Sequence, residues 1–303
     1  MIEYLTSFTD YHKASLDTQL MLIQNLELES IALRAFNGES ILNLNEDDLN
    51  KLELFLKKKT VVVLDPLLKT YSIHDKDSID AYSKSLEGIL SISKRLGVKN
   101  ILYKIPKHED IIKDAQMMVD QMREHIKLIR KHKIGVWVQM SDHHQPNVYK
   151  YIFELLDDVK VKMMYDPTYI FLEKEAEVTA YRLLRDYIGV LRIDDCDPTG
   201  AGRLVGKGGF VHINEISKRL IKKDYRGTVI LDSSLIELIL QAKSFNWFDR
   251  NLSKTKKHHY KIYQDFIELK LKPEVLDMIH IQLSVLSIMF LNKPRGYKGE
   301  TIK

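Results

Sequence analysis

The feature that most limits the folds open to this chain is a repeated alternation. Short apolar runs rich in β-branched residues are followed by amphipathic stretches, with one strand to the next spaced by roughly 30 residues. Runs such as Thr60–Leu64 (TVVVL) and Gly135–Met140 (GVWVQM) have strand composition. The stretches between them place apolar residues at helical spacing. Strands are predicted at Ile2–Ser7, Ser30–Ala35, Thr60–Leu64, Asn100–Ile105, Gly135–Met140, Lys160–Tyr165, Gly189–Asp194 and Thr228–Leu231. Helices are predicted at Leu16–Leu26, Glu46–Lys58, Ile79–Leu96, Asp110–Lys131, Pro146–Leu156, Glu173–Tyr187 and His212–Lys223. Asn45 should cap the second helix, and Gly97 should end the third.

Eight strands separated by helices favour a single closed (β/α)8 TIM barrel over an open doubly wound sheet, in the α/β class. The barrel is expected over residues 1–243. Residues 244–303 should form a C-terminal helical extension that closes the barrel: an aromatic turn (Phe245, Trp247, Phe248), a helix near Lys256–Leu269 and another at Pro273–Leu291. A short apolar segment, Leu235–Ala242, precedes them. The last helix is too broken by Asp277, His280, Gln282 and Ser284 to span a bilayer, so no membrane partner is expected. It nonetheless carries more apolar side chains than one stripe needs, which makes a homodimer and packing on its own barrel equal alternatives.

With 45% hydrophobic residues the chain can build a large core. Its formal charge of +4 is spread among interleaved Lys, Arg, Asp and Glu, so a nucleic-acid partner is not expected. The densest basic run is Lys254–Lys261 (KTKKHHYK), whose His258 and His259 read as a solvated helix face. A lone cysteine, Cys196, and an N-terminus without a basic flank or apolar core suit a cytoplasmic setting.

Barrel chemistry belongs at the C-terminal ends of strands. Those positions read Arg34, Asp65, Lys104, Gln139, Asp166, Arg192 and Asp232, against strand interiors that are nearly all apolar. Converging cations and carboxylates suit a small polyhydroxylated or anionic ligand. The loop Gly200–Gly209 (GAGRLVGKGG), with Lys207, could add N–H donors and a mobile cover, although it matches no nucleotide-binding motif. His143 and His144 follow the fifth strand, and at most one can turn inward. Cys196 sits among aspartates that should raise its pKa, which argues against a nucleophile, and no Gly-x-Ser-x-Gly elbow is present.

The segments IALRAF, MMYDPTY, VLRIDD and GKGGFVHINEISKRLIKKDYRGTVILDSS together resemble the xylose isomerase-like TIM barrels over residues 1–240. That group holds sugar-phosphate isomerases and epimerases and the endonuclease IV type. The resemblance implies a divalent metal (Mn, Mg or Zn) held by a glutamate, an aspartate with a nearby histidine, a histidine and a glutamate on strands five to eight. At the matching positions this chain has Gln139, Asp166 with Tyr169, Arg192 and Asp232. Only Asp166 and Asp232 stay usable as ligands, and an arginine cannot be one.

The resemblance therefore implies a sugar or sugar-phosphate barrel, with its metal role expected to pass to Arg192. As an isomerase or epimerase it would use Asp166 or Asp232 as base, with Lys104 and Arg192 stabilising charge. Arg34, Asp65, Gln139, His143, Tyr169 and Lys207 would bind substrate. An inactive sugar- or anion-binding barrel is the alternative. An endonuclease IV-like repair protein is remote, because its metal ligands are missing.

Overall fold

The structure, a computed structural model, describes residues 2–292. Its strands are β1 (Tyr4–Ser7), β2 (Ser30–Leu33), β3 (Thr60–Leu64), β4 (Asn100–Lys104), β5 (Gly135–Gln139), β6 (Lys162–Tyr165), β7 (Ile188–Ile193) and β8 (Thr228–Leu231). They pair in parallel in the order β1-β8-β7-β6-β5-β4-β3-β2. The helices are α1 (Leu16–Asn25), α2 (Glu46–Leu56), α3 (Lys76–Arg95), α4 (Ile111–Lys131), α5 (Pro146–Leu156), α6 (Pro167–Leu172), α7 (Glu177–Leu184), α8 (Ile213–Lys222), α9 (Ser234–Lys243), α10 (Trp247–Leu252), α11 (Lys254–Glu268) and α12 (Val275–Leu291). The result is a (β/α)8 barrel with C-terminal helices.

The ends of the sheet, β1 and β2, lie side by side and close the barrel by side chains. Thr6 Oγ1 donates to Ser30 O (2.6 Å), and Ser30 Oγ donates back to Leu5 O (3.2 Å). Each hydroxyl satisfies a strand carbonyl at this seam. Thr6→Val and Ser30→Ala are each expected to cost about 1 kcal/mol in urea unfolding. Losses of only a few tenths would mean the seam is held by packing alone.

Two cores follow from the period-two alternation of strands. Phe8, Ala32, Val62, Val63, Leu102, Trp137, Met164, Val190 and Ile230 fill the barrel interior. The opposite strand faces pack against the helices in a much larger cluster. The expected caps are present: Asn45 Oδ1 accepts from Asp48 N (2.8 Å). After α3, Gly97 sits at φ +66, with Gly97 N bonded to Lys94 O and Val98 N to Ser93 O. A side chain would be strained there, which is why glycine ends this helix.

Three local readings are corrected. The second strand stops at Leu33, and Ala35–Phe36 pairs instead with Glu39–Ser40 in a hairpin turned by Asn37 and Gly38, both at positive φ. The helix expected over Glu173–Tyr187 is shorter, α7 at Glu177–Leu184, and a separate helix, α6, precedes it at Pro167–Leu172. Asp166 caps α6 directly, Pro167 opens it, and Lys174 adopts a left-handed conformation in the break. The aromatic turn is a short helix, α10, set by a capping box between Asn246 and Asp249.

α12 packs against β1, β8, α8 and α9 and so supplies the helix that completes the barrel. It buries Met278, Ile279, Leu283, Leu286 and Phe290, and Val275, Leu276, Val285, Met289 and Leu291 also pack on the core. Its apolar surplus is thus largely taken up by its own barrel, leaving Ile288 exposed.

Candidate functional site

Period-two geometry builds the barrel mouth. Two residues beyond an interior side chain of each strand lies the next inward position. From Phe8, Ala32, Val63, Leu102, Trp137, Met164, Val190 and Ile230 this step reaches Asp10, Arg34, Asp65, Lys104, Gln139, Asp166, Arg192 and Asp232. Every strand therefore delivers a charged or amide side chain. The strand-end reading found seven of these. It missed Asp10, which lies past the end of β1, although its spacing from Phe8 carried the signal.

The sheet order divides these eight residues into two arcs. Along β6, β7, β8, β1 and β2 the charges alternate and join. Arg192 Nη1 donates to Asp166 Oδ2 (2.7 Å), and its Nε reaches Asp232 Oδ2 (2.9 Å). Arg34 Nη1 meets the same Asp232 oxygen (2.7 Å), and its Nη2 reaches Asp232 Oδ1 (3.1 Å). Arg34 also forks onto Asp10 through Nε (2.8 Å) and Nη2 (2.9 Å), and lies over the Phe8 ring (4.3 Å). The arc is an unbroken chain, Asp166–Arg192–Asp232–Arg34–Asp10, in which every carboxylate is nearly fully buried. Burial by itself would raise the Asp232 pKa, but Arg192 and Arg34 outweigh it and hold the carboxyl at about 2. The other oxygen of Asp166 accepts Tyr169 N (2.9 Å) as the α6 cap, so both its oxygens are engaged.

The second arc, β3–β4–β5, is open. Lys104 and Gln139 face each other in the β4–β5 register and are half-buried. Among the described residues neither side chain makes a hydrogen bond or ion pair. Asp65 is buried beside them and accepts only Leu67 N (3.0 Å). Burial raises its pKa despite Leu67 N–H and the nearby cations.

The loop after β5 resolves the histidine pair. His143 points out, exposed, against Glu173 (2.8 Å). His144 is the inward one: it is buried and stacked on His108, with ring centroids 4.9 Å apart. Burial and the adjoining His108 push the His144 pKa down to about 4. Tyr169 is a brace for this loop, its hydroxyl reaching the carbonyls of Ser141 (3.1 Å) and His144 (3.2 Å).

The Gly-rich loop is folded onto its own stem. Arg203 N bonds Asp195 O (2.7 Å) and Phe210 N bonds Cys196 O (2.9 Å). A Cβ on Gly209 would lie 1.8 Å from an Asp195 carboxylate oxygen, so any larger residue there would have to displace the Asp195 carboxylate. Asp197 gathers Thr199, Arg203 (2.8 Å) and His258 Nε2 (2.7 Å), tying the loop to α11. His258 is thus a loop anchor and not a free helix face. Lys207 lines a groove with Leu235, Ile262 and Phe266, and the structure does not bring it to the Asp166–Arg192–Asp232 cluster. Cys196 is buried, and burial with Asp194, Asp195 and Asp197 pushes its pKa up to about 12. Behind Arg192, Asp194 Oδ1 accepts Asp195 N and Ser234 N, each at 2.9 Å. Burial lifts Asp194 to about 7 and Asp195 to about 6.

The donor set does not fit a divalent ion. Asp166 and Asp232 are the only carboxylates on strands six to eight that match the expected ligand positions, and both are occupied by guanidinium. Arg192 has no lone pair to give and repels a cation. No three His, Cys, Asp or Glu side chains converge on a metal-holding point among the described residues.

No protein-family profile and no curated protein sequence matches the chain. Solved structures do. D-psicose 3-epimerase from Clostridium cellulolyticum H10, crystallised with D-tagatose, superposes with a TM-score of 0.67 at 15% identity, over 95% of this chain and 99% of that one. The IOLI protein with a bound zinc atom gives 0.66 at 12% identity, over 98% and 100%. The 3-keto-D-glucoside 4-epimerase YcjR from E. coli gives 0.59 at 14% identity, over 77% and 92%. The chain has the xylose isomerase-like TIM barrel fold.

Proposed function

We propose that this barrel binds a small sugar or sugar phosphate in the open arc of its mouth, without a divalent ion. The observation that carries this reading is the division of the mouth. Five strands bear a wall of mutually paired ions, while three adjacent strands present Asp65, Lys104 and Gln139, with Lys104 and Gln139 unengaged among the described residues. Their chemistry is complementary to such a ligand. Lys104 offers three donors to hydroxyl or phosphate oxygens, Gln139 offers a donor and an acceptor, and Asp65 accepts from hydroxyls. Arg192 pairs with both Asp166 and Asp232, the two carboxylates that would have to hold an ion. The epimerase neighbours favour the sugar class.

Turnover by isomerisation or epimerisation is the second reading, and one residue favours it. Both oxygens of Asp166 are engaged by Tyr169 N and Arg192, and Asp232 is held low by its two arginines, which makes Asp232 a poor base. Asp65 is the mouth carboxyl whose pKa is raised, and Lys104 acts on it electrostatically. In this reading, which one base supports for isomerisation, Asp65 takes a proton from the carbon next to the carbonyl and returns it to the former carbonyl carbon, while Lys104 stabilises the enediolate and passes a proton between its two oxygens.

Calorimetry over a panel of aldoses, ketoses and their phosphates tests the site. Lys104→Met and Gln139→Leu are each expected to weaken binding about tenfold or more. Added Mn, Mg or Zn should leave affinity unchanged. Equal affinity in both variants would place the ligand elsewhere, and metal-dependent affinity would overturn the ion-free part. Product formation that Asp65→Asn abolishes would select the second reading.

A further inference from the structure

Among the described residues, α10 presents an exposed apolar cluster. Helix α10 buries no residue, and its Trp247, Phe248 and Leu252 are 65%, 64% and 72% exposed. The two rings meet edge to face at 5.2 Å, and the Asn246–Asp249 capping box fixes the helix that presents them. Such a cluster on a soluble surface marks an interaction site.

Charge identifies what it meets. Residues Phe245–Lys261 hold Arg250, Lys254, Lys256, Lys257 and Lys261 against a single acid, Asp249, a net of +4 that equals the formal charge of the whole chain. The rest of the molecule is neutral on balance. Arg250, Lys254, Lys257 and Lys261 line one cleft between α10 and α11, where four cations outnumber the two acids Asp265 and Glu268. Lys256 is paired with Asp249 and lies near the Phe245 ring (5.6 Å). A second copy of this surface would be repelled by like charge. Protein interfaces are depleted in lysine and enriched in arginine. Here four of the five cations are lysine, and the arginine is stacked on Tyr260 (4.3 Å). Exposed Trp, Phe and Leu among lysines form the pattern of an interfacial segment on anionic lipid.

We propose that the outer surface of α10 and α11 is a peripheral docking site for an anionic membrane surface. Trp247, Phe248 and Leu252 enter the headgroup region, and Lys254, Lys257 and Lys261 meet lipid phosphates and carboxylates. Among the described residues no helix is long and apolar enough to cross a membrane, so the contact is from one side.

The chain carries two tryptophans, which makes the test direct. Trp137 is buried in the barrel, so any vesicle-induced change in emission reports Trp247. The full chain is spun with vesicles of phosphatidylcholine, alone or with about 30 mol% phosphatidylserine, where surface charge is set by the anionic lipid. Expected results are sedimentation with the anionic vesicles only, a blue shift of emission, and release by roughly 0.5 M salt. The pair Trp247→Ala and Phe248→Ala should weaken binding at least about tenfold. Charge reversal of Lys254, Lys257 and Lys261 to Glu should weaken it by roughly a hundredfold or more. All five side chains are exposed, and an unchanged unfolding temperature verifies that each variant is folded. Failure to bind anionic vesicles at low salt overturns the proposal. So does binding without a blue shift, or binding to duplex DNA or an acidic polypeptide by a protein that ignores vesicles.

Discussion

Asp232→Asn is expected to cost the fold about 3–5 kcal/mol, because it breaks a buried charge chain at its centre. Asp232 is the one carboxylate that serves both arginines, with Arg192 and Arg34 each 2.7 Å from its Oδ2. An asparagine has one acceptor oxygen and brings an NH2 toward two guanidiniums. Arg34 keeps Asp10 and Arg192 keeps Asp166, which holds the loss within that range. The effect has a pH signature. The folded pKa of Asp232 is depressed, to about 2, below the ordinary carboxylate value. Its stabilisation is therefore complete above about pH 4 and fades as pH falls from about 4 toward 2. Urea unfolding at pH 7 and pH 3 should show the wild-type advantage shrinking at the acid end. Adding Arg192→Met to Asp232→Asn should cost less than the sum of the two, since Arg192 has by then lost one of its partners. A penalty below about 1 kcal/mol at pH 7 would mean that solvent, and not the ion chain, satisfies these groups.

The sequence carried the barrel and the identity of seven mouth residues, because both depend on periods that a strand imposes on its own side chains. What it did not carry is which of those residues find each other. That depends on the order of strands around the barrel, which places Asp166, Arg192, Asp232, Asp10 and Arg34 on consecutive strands and Asp65, Lys104 and Gln139 on the other three. Asp166 and Asp232 illustrate the point: spacing along a strand places them at the mouth, but only the strand order shows that Arg192 and Arg34 engage them. Spacing also could not choose between His143 and His144. The choice rests on the loop φ angles at Asp142 and His143 and on a stacking partner, His108, from another loop. The Gly-rich loop read as a cover for the mouth. The contacts that fold it back instead, Asp195 with Gly209 and Asp197 with His258, span up to 61 residues and leave no local signature.

Asp194→Asn is expected to stabilise the protein above pH 7 by on the order of 2–4 kcal/mol. Asp194 lies two residues beyond Arg192 on the same inward row, and burial lifts its pKa to about 7, against the Ser234 N–H that bonds it. Between about pH 4 and 7 the folded protein holds a proton that the unfolded chain has released. Stability from this group therefore declines as pH rises through that window, and the full cost is present above the folded pKa. Asparagine keeps the oxygen that accepts Asp195 N and Ser234 N, but it has no charge to bury. The gain should thus be large at pH 8 and small at pH 5. Asp195, lifted to about 6, acts with the same sign and remains in the variant. His125 and His144, lowered to about 4 by burial, act in the opposite sense between about pH 4 and 6.5, so the Asp194 contribution is read from the difference between variant and wild type. Below about pH 7, where Asp194 is mostly protonated, the Arg192 guanidinium is left to Asp166 and Asp232. Urea midpoints at pH 5 and pH 8 for both proteins decide the matter. A gain equal at the two pH values, or a less stable variant at pH 8, would mean that Asp194 is already ionised in the fold.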